Sequence, residues 1–220
     1  MKIRNIVTFN HLKTARDYLP RMNNKKVDCM KVARRYDFNY WDGKRKFGYG
    51  GYKYIPSRWV AVAKRIIKTY NLNSKSKILD AGCGKGFLLY EIKMLIPNIT
   101  IYGFDISKYA IKNSKKEIKP FLYVHSLEKK TKFKKNYFDL VLSIGCLHNL
   151  HIYNLEKAIK EIERISKKSY IMVESYNNLK QLFNLQCWAL TANIFLSKKE
   201  WIYLLKKFNF KGDLEFIYFD

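Results

Sequence analysis

Lys77-Ile78-Leu79-Asp80-Ala81-Gly82-Cys83-Gly84-Lys85-Gly86-Phe87 is the stretch that decides the reading of this chain. Ile78 to Ala81 is a short apolar run, the pattern of a strand buried on both faces of a parallel sheet. Three alternate glycines follow; they let the backbone turn sharply and leave no Cβ between the main chain and a ligand. A helical pattern then opens at Phe87. Strand, glycine turn and helix in that order place a ligand at the carboxyl end of a doubly wound sheet. Dinucleotide sites prefer G-x-G-x-x-G, with the last glycine one position later. Here the spacing is G-x-G-x-G, preceded by the acidic Asp80.

Downstream, strands read at 77–81, 101–105, 121–124, 138–143, 170–174 and 214–219 alternate with helices at 87–95, 108–118, 155–166 and 198–208. This alternation predicts an α/β fold: a Rossmann-like three-layer sandwich around a mostly parallel six- or seven-stranded sheet. Upstream, residues 1–56 are basic and aromatic, with short helices expected at 12–19 and 26–35. The glycine-punctuated loop from Tyr36 to Tyr54 comes next. Pro56-Ser57 reads as a helix start with Ser57 as N-cap and a core stripe of Val60, Ala63, Ile66 and Ile67. The expected organisation is therefore an N-terminal helical and aromatic extension over 1–70, serving as a lid, and a ligand-binding domain over 71–220.

A chain of 220 residues, 48% hydrophobic, can bury one good core. Forty-three Lys and Arg against 18 Asp and Glu give a formal charge of +25, which suits a phosphate-bearing partner. The abundance of Lys, Ile, Asn, Tyr and Phe also matches an AT-rich genome, so an anionic small molecule is the middle reading. Four cysteines without C-x-x-C pairing, and no signal-peptide core, point to a cytoplasmic protein. No run of about 18 apolar residues suggests a membrane span. The dispersed Cys and His residues predict no metal site. Oligomeric state is not legible.

Leu79-Asp80-Ala81-Gly82-Cys83-Gly84-Lys85-Gly86 resembles the first motif of class I S-adenosylmethionine-dependent methyltransferases. Ile101-Tyr102-Gly103-Phe104-Asp105-Ile106-Ser107 ends its strand on an acid, and Tyr137-Phe138-Asp139-Leu140-Val141-Leu142-Ser143 is similar to the family's fourth strand. The resemblance implies S-adenosylmethionine as cofactor. By the same resemblance Gly82, Cys83, Gly84 and Gly86 pass beneath it, Asp80 meets its amino group or orients the loop, and Asp105 holds the ribose. Ile106 would lie beneath the adenine, and Ser143 is expected among the cofactor-binding residues. Leu127 stands where many relatives place an acid that accepts from the adenine. The chain shows one strand after its last helix, where the family has two.

Methyl transfer from a sulfonium is an in-line displacement that chiefly needs alignment, plus a base when the acceptor begins protonated. The segment after the fourth strand holds His148, His151 and Tyr153, the expected catalytic cluster, with His148 as base before His151. Either histidine could instead cap the next helix or pack on the sheet edge, and His125 is read as structural. Tyr40, Trp41, Tyr49, Tyr52 and Arg58 form the expected lid and substrate wall, with Trp188 as a second cover. A weaker whole-chain similarity, to methyltransferases of bacterial surface-polysaccharide clusters, implies an oxygen or nitrogen acceptor on a small, anionic sugar, nucleotide-sugar or glycan precursor. The competing functions are a nucleic-acid methyltransferase and a non-catalytic S-adenosylmethionine-binding regulator. Against the former, Ser143-Ile144-Gly145-Cys146 lacks the proline pair of base-amino methylases.

Overall fold

The computed structural model describes residues 1–11 and 17–220. Six strands form one sheet in the order β3-β2-β1-β4-β5-β6: β1 (Lys77–Ala81), β2 (Thr100–Asp105), β3 (Leu122–Val124), β4 (Leu140–Ile144), β5 (Ser169–Glu174) and β6 (Asp213–Ile217). Every neighbouring pair is parallel. The order reverses between β1 and β4, so the crevice at their carboxyl ends is the topological switch point.

Side chains alternate across each strand, so one strand feeds two cores. Ile78, Ile101, Leu140 and Leu142 meet α5 (Val60–Tyr70) and α6 (Phe87–Leu95) on one face. Leu79, Phe104, Val141 and Ile171 meet α8 (Ile152–Ile165) and α10 (Lys198–Lys207) on the other. Trp201 is fully buried there, its indole N–H donating to the Glu174 carbonyl. A capping box between Ser197 and Glu200 starts α10.

Before the sheet lie α1 (Thr8–His11), α2 (Leu19–Asn23), α3 (Lys26–Ala33) and α4 (Phe38–Trp41). The helix expected at 12–19 falls outside the described residues over 12–16, and Leu19 opens α2. The chain start lies on the sheet: Ile3 bridges Leu214 in parallel, extending the edge beyond β6. Glu215 is buried and receives the main-chain N–H groups of Ile6, Val7 and Thr8 together with the Tyr170 hydroxyl. A buried carboxylate with that many donors is fully satisfied and fixes the extension to the core.

Three expected elements differ by three residues or more at one end. The helix read from Ser57 begins at Val60, because Ser57 takes φ +67°, and Val62 rather than Val60 joins Ala63 and Ile66 in the core. The helix read at 108–118 stops after α7 (Lys108–Lys112). The helix read from Leu155 begins three residues earlier, at Ile152. Residues 177–196 contribute α9 (Leu179–Trp188), which packs against α2 and the chain end.

Candidate active site

At the carboxyl end of β1 the chain turns through Gly82 (φ +90°) and Gly84 (φ +56°), conformations that an L side chain rarely adopts. The turn is tied to β2: Gly82 and Cys83 donate to the Phe104 carbonyl, and Gly84 donates to Asp105 Oδ2 at 2.8 Å. Asp105 Oδ1 accepts from Ser107 N at 2.8 Å. Burial pushes the Asp105 carboxyl up, opposed by these main-chain donors. Asp80 is 5% exposed, and its Oδ1 has no hydrogen-bond partner. Burial first, and the charge of Asp105 second, push its carboxyl up to about 7.

The 36–54 segment lies across this turn. Asp37 caps α4 by accepting from Asn39 N at 2.8 Å, which presents Trp41 inward. A Cβ on Gly84 would stand 2.8 Å from the Trp41 ring, so the indole rests directly on the loop. Trp41 Nε1 donates to Ser107 Oγ at 2.9 Å, Tyr49 stacks on the indole at 5.3 Å, and Tyr52 stacks on Phe87 at 5.2 Å. Beneath them Lys85, 4% exposed, donates to both oxygens of Asp42 at 2.8 and 2.7 Å and to the Tyr52 carbonyl at 2.8 Å. Asp42 also accepts from the Tyr109 hydroxyl and Tyr52 N. These donors hold its carboxyl below the usual range against its own desolvation.

The glycine turn and the 36–54 segment border a cavity of about 210 Å³. Asp80, Gly82, Cys83, Gly84, Asp105, Ile106 and Leu127 line it from the sheet side, and Tyr40, Trp41, Tyr49 and Tyr52 from the 36–54 segment. Its charged lining consists of Asp80, Asp105 and Glu128, with no Lys or Arg among the lining residues.

Seven expected site residues stand outside this lining. Gly86 faces the core, where a Cβ would meet Ile118 at 2.7 Å and Leu122 at 2.9 Å. Ser143 is fully buried and donates to the Ala81 carbonyl. His148 is 4% exposed behind the wall: Nδ1 accepts from Glu174 N at 3.3 Å, and Nε2 faces the Glu174 carboxylate at 3.4 Å. Its acceptor nitrogen thus meets the Glu174 amide instead of the cavity, and burial lowers its basicity despite Glu174. Because α8 begins at Ile152, His151 becomes its N-cap and Tyr153 its first turn, their rings stacked on each other and exposed to solvent. Arg58 is exposed. Trp188 packs on Tyr18 and Phe219 under the Arg21 guanidinium, not over the cavity.

Sequence reading missed Asn149, whose buried Oδ1 also lacks a partner and which lines the cavity, and Tyr36, whose hydroxyl burial pushes up. Asn149 stands next to His148 after the fourth strand, and a neutral amide carries no acid–base signal to single it out. Lys85, inside the glycine motif, carried no signal of its buried pairing with a residue 43 positions away. Among the described residues no helix is long and apolar enough to cross a membrane.

Over 110 residues the chain is 33% identical to human arginine-hydroxylase NDUFAF5, a mitochondrial protein, covering 50% of this chain and 31% of the relative. The mouse protein is 29% identical over 109 residues, again 50% of this chain and 31% of the relative. The match spans about a third of the length of these curated relatives, so their hydroxylase activity stays a statement about them. Among solved structures, YcgJ of Bacillus subtilis superposes with a TM-score of 0.53 at 16% identity, over 66% of each chain. A protein described as a methyltransferase from an antibiotic biosynthesis pathway of Anabaena variabilis gives 0.53 at 21% identity, over 70% of this chain and 62% of that one. Both likenesses are of fold. A family model described as a methyltransferase domain matches residues 72–209, more than half of the 220, from the approach to β1 through the end of α10. With the glycine turn at the switch point of the sheet, that match settles membership: the chain belongs to the methyltransferase-domain family, enzymes that use S-adenosylmethionine as methyl donor.

Proposed function

We propose that this methyltransferase acts on an oxygen or nitrogen of a small acceptor of the sugar, nucleotide-sugar or glycan-precursor kind, with residues 71–220 holding the cofactor and residues 1–70 supplying the lid. The observation that carries the reading is Asp80 Oδ1, a buried acceptor without a partner that lines the cavity beside the glycine turn. A cationic donor at that point would satisfy it, and S-adenosylmethionine carries an ammonium and a sulfonium. The three lining carboxylates favour a positively charged ligand in the same way.

We assign Asp80 to the cofactor's amino group, and Gly82, Cys83 and Gly84 to the main-chain wall beside it. Asp105 is assigned to the ribose; each of its oxygens already accepts one main-chain N–H and keeps a lone pair for a hydroxyl. Ile106 and Leu127 supply apolar contacts for the adenine. When bound, the cofactor supplies an electrophilic methyl group on its sulfonium. Trp41, Tyr49 and Tyr52 exclude water, and the buried Lys85–Asp42 pair holds that cover in place.

On the acceptor side, burial keeps the Tyr36 and Tyr40 hydroxyls protonated. Their rings, with Tyr49, offer flat faces to a sugar ring. Asn149 Oδ1 is positioned to accept one donor hydrogen from the acceptor. With His148 occupied elsewhere, alignment rather than a histidine base carries the transfer. The anionic character expected from net charge has no support in a lining without Lys or Arg, so any phosphate on the acceptor would sit outside the cavity.

Calorimetric titration with S-adenosylmethionine, S-adenosylhomocysteine and NAD, followed by transfer of labelled methyl to neutral and phosphorylated sugars, tests both halves. Binding of the first two and labelling of a sugar support the assignment. Labelling of RNA or protein with every sugar inert would overturn the acceptor class, and binding of NAD alone would overturn the cofactor site.

A further inference from the structure

The cofactor cavity has no Lys or Arg in its lining, yet the chain carries a formal charge of +25. Part of that charge lies at the opposite, amino-terminal edge of the sheet. A groove of about 380 Å³ opens there, where the ends of α5 and α8, the starts of β5 and β6 and the chain's first residues meet. Lys2, Arg4, Lys167, Lys168 and Lys211 line it. Tyr70 and Ser169 back it as buried polar groups, held by Asp213 and Glu163. Lys167 continues the basic strip toward β1: its Nζ reaches Asp139 Oδ1 at 2.8 Å, while Asp139 Oδ2 accepts from Lys77 N at 2.8 Å. Lys77 and Lys75 follow at the start of β1.

Helix carboxyl termini attract cations, and α5, α8 and α10 all end at this edge. Three such ends amount to about −1.5 charges. The strip holds seven cations (the groove's five with Lys75 and Lys77) against Glu163, Asp213 and Asp139, a surplus of four. The surplus exceeds what the helix ends ask for. Arg4 is paired with Asp213 and Lys167 with Asp139, but Lys2, Lys168 and Lys211 have no side-chain partner among the described residues. From β6 to β1 the strip crosses three strand spacings of ~4.8 Å, about 15 Å of linear basic surface.

We infer that this edge is a track for single-stranded nucleic acid, bound through its phosphates without reading sequence. A row of exposed ammonium groups across four neighbouring strands matches a repeating phosphate backbone better than a single anion. The track lies on the far side of the sheet from the methyl-transfer cavity, so a strand held there is a docking partner and not the seat of the methyl acceptor. The inference is independent of the acceptor assigned above.

Fluorescence anisotropy with a labelled twelve-residue oligouridylate tests it across a salt series. About four phosphate contacts predict a slope of log K against log salt near −3, at ~0.7 per contact for single strands. The double charge reversal Lys168→Glu/Lys211→Glu should weaken binding at least tenfold at low salt and flatten the slope by about 1.4. The control reversal Lys180→Glu/Lys199→Glu, at exposed positions of α9 and α10, should change affinity less than twofold. Unchanged S-adenosylmethionine affinity in both variants certifies the fold. Equal losses in the two reversals would overturn the track in favour of diffuse charge. Absence of oligonucleotide binding, or binding of inorganic polyphosphate of matched charge alone, would overturn nucleic acid as its occupant.

Discussion

Replacing Asp80 with Asn should stabilise the cofactor-free protein and abolish cofactor binding at once. In the folded chain the Asp80 carboxyl is pushed from 3.8 to about 7, chiefly by burial and secondarily by Asp105. A folded-state pKa above the unfolded one means that the native state holds its proton more tightly. The group therefore favours the fold fully below about pH 4, and that contribution is lost as pH rises through 7. About three pKa units at 1.36 kcal/mol each put the cost of the buried carboxylate near 4 kcal/mol above pH 8, as an upper bound. Asn keeps the shape and removes the charge. Thermal unfolding at pH 8 should rise by as much as roughly 10 °C for a chain of this size, and the gain should shrink toward zero near pH 4. Adding S-adenosylmethionine should raise the melting temperature of the wild type and leave the variant unmoved. Calorimetry below pH 7 should further show a proton released when the wild type binds the cofactor, because a cation beside Asp80 lowers its pKa. A variant less stable than wild type at pH 8, or one that keeps its cofactor affinity, would refute the reasoning.

Gly84→Val should remove cofactor binding: its Cβ would stand 2.8 Å from the Trp41 ring at a φ of +56°, and circular dichroism should still show a folded sheet. Glu215→Ala leaves three main-chain N–H groups and the Tyr170 hydroxyl without their acceptor, at about 1–3 kcal/mol for each group that water cannot reach. The expected loss is several kcal/mol in urea unfolding, and a loss under 1 kcal/mol would show that the extension is not anchored there. His148→Gln should leave the pH profile of methyl transfer unchanged, since its acceptor nitrogen already serves Glu174 N. Disappearance of a titration between pH 5 and 8 would restore His148 as the base.

Residues 77–87 made the strand and glycine turn beside the cavity legible because everything there is local. The strand, the turn and the helix start occupy eleven consecutive residues, and the φ values that Gly82 and Gly84 adopt follow from their lack of a Cβ. The Asp105 carboxylate was legible for the same reason, since an acid closing the next parallel strand must arrive beside the turn. The histidines were misread because chain proximity to β4 was taken for proximity to the cavity. Starting α8 at Ile152 instead of Leu155 swings His151 and Tyr153 into solvent, and the Glu174 amide draws His148 behind the wall.

Periodicity and glycine spacing, both short-range properties of the backbone, determined the parallel α/β sheet and where on it the glycine turn sits. Tertiary structure alone decided what faces the cavity beside that turn and what does not. Lys85 meets Asp42 across 43 residues, Glu215 meets Ile6 to Thr8 across more than 200, and the basic strip unites both ends of the chain. Such pairings depend on which segments the folded sheet brings within a few ångströms, and no local propensity encodes that distance.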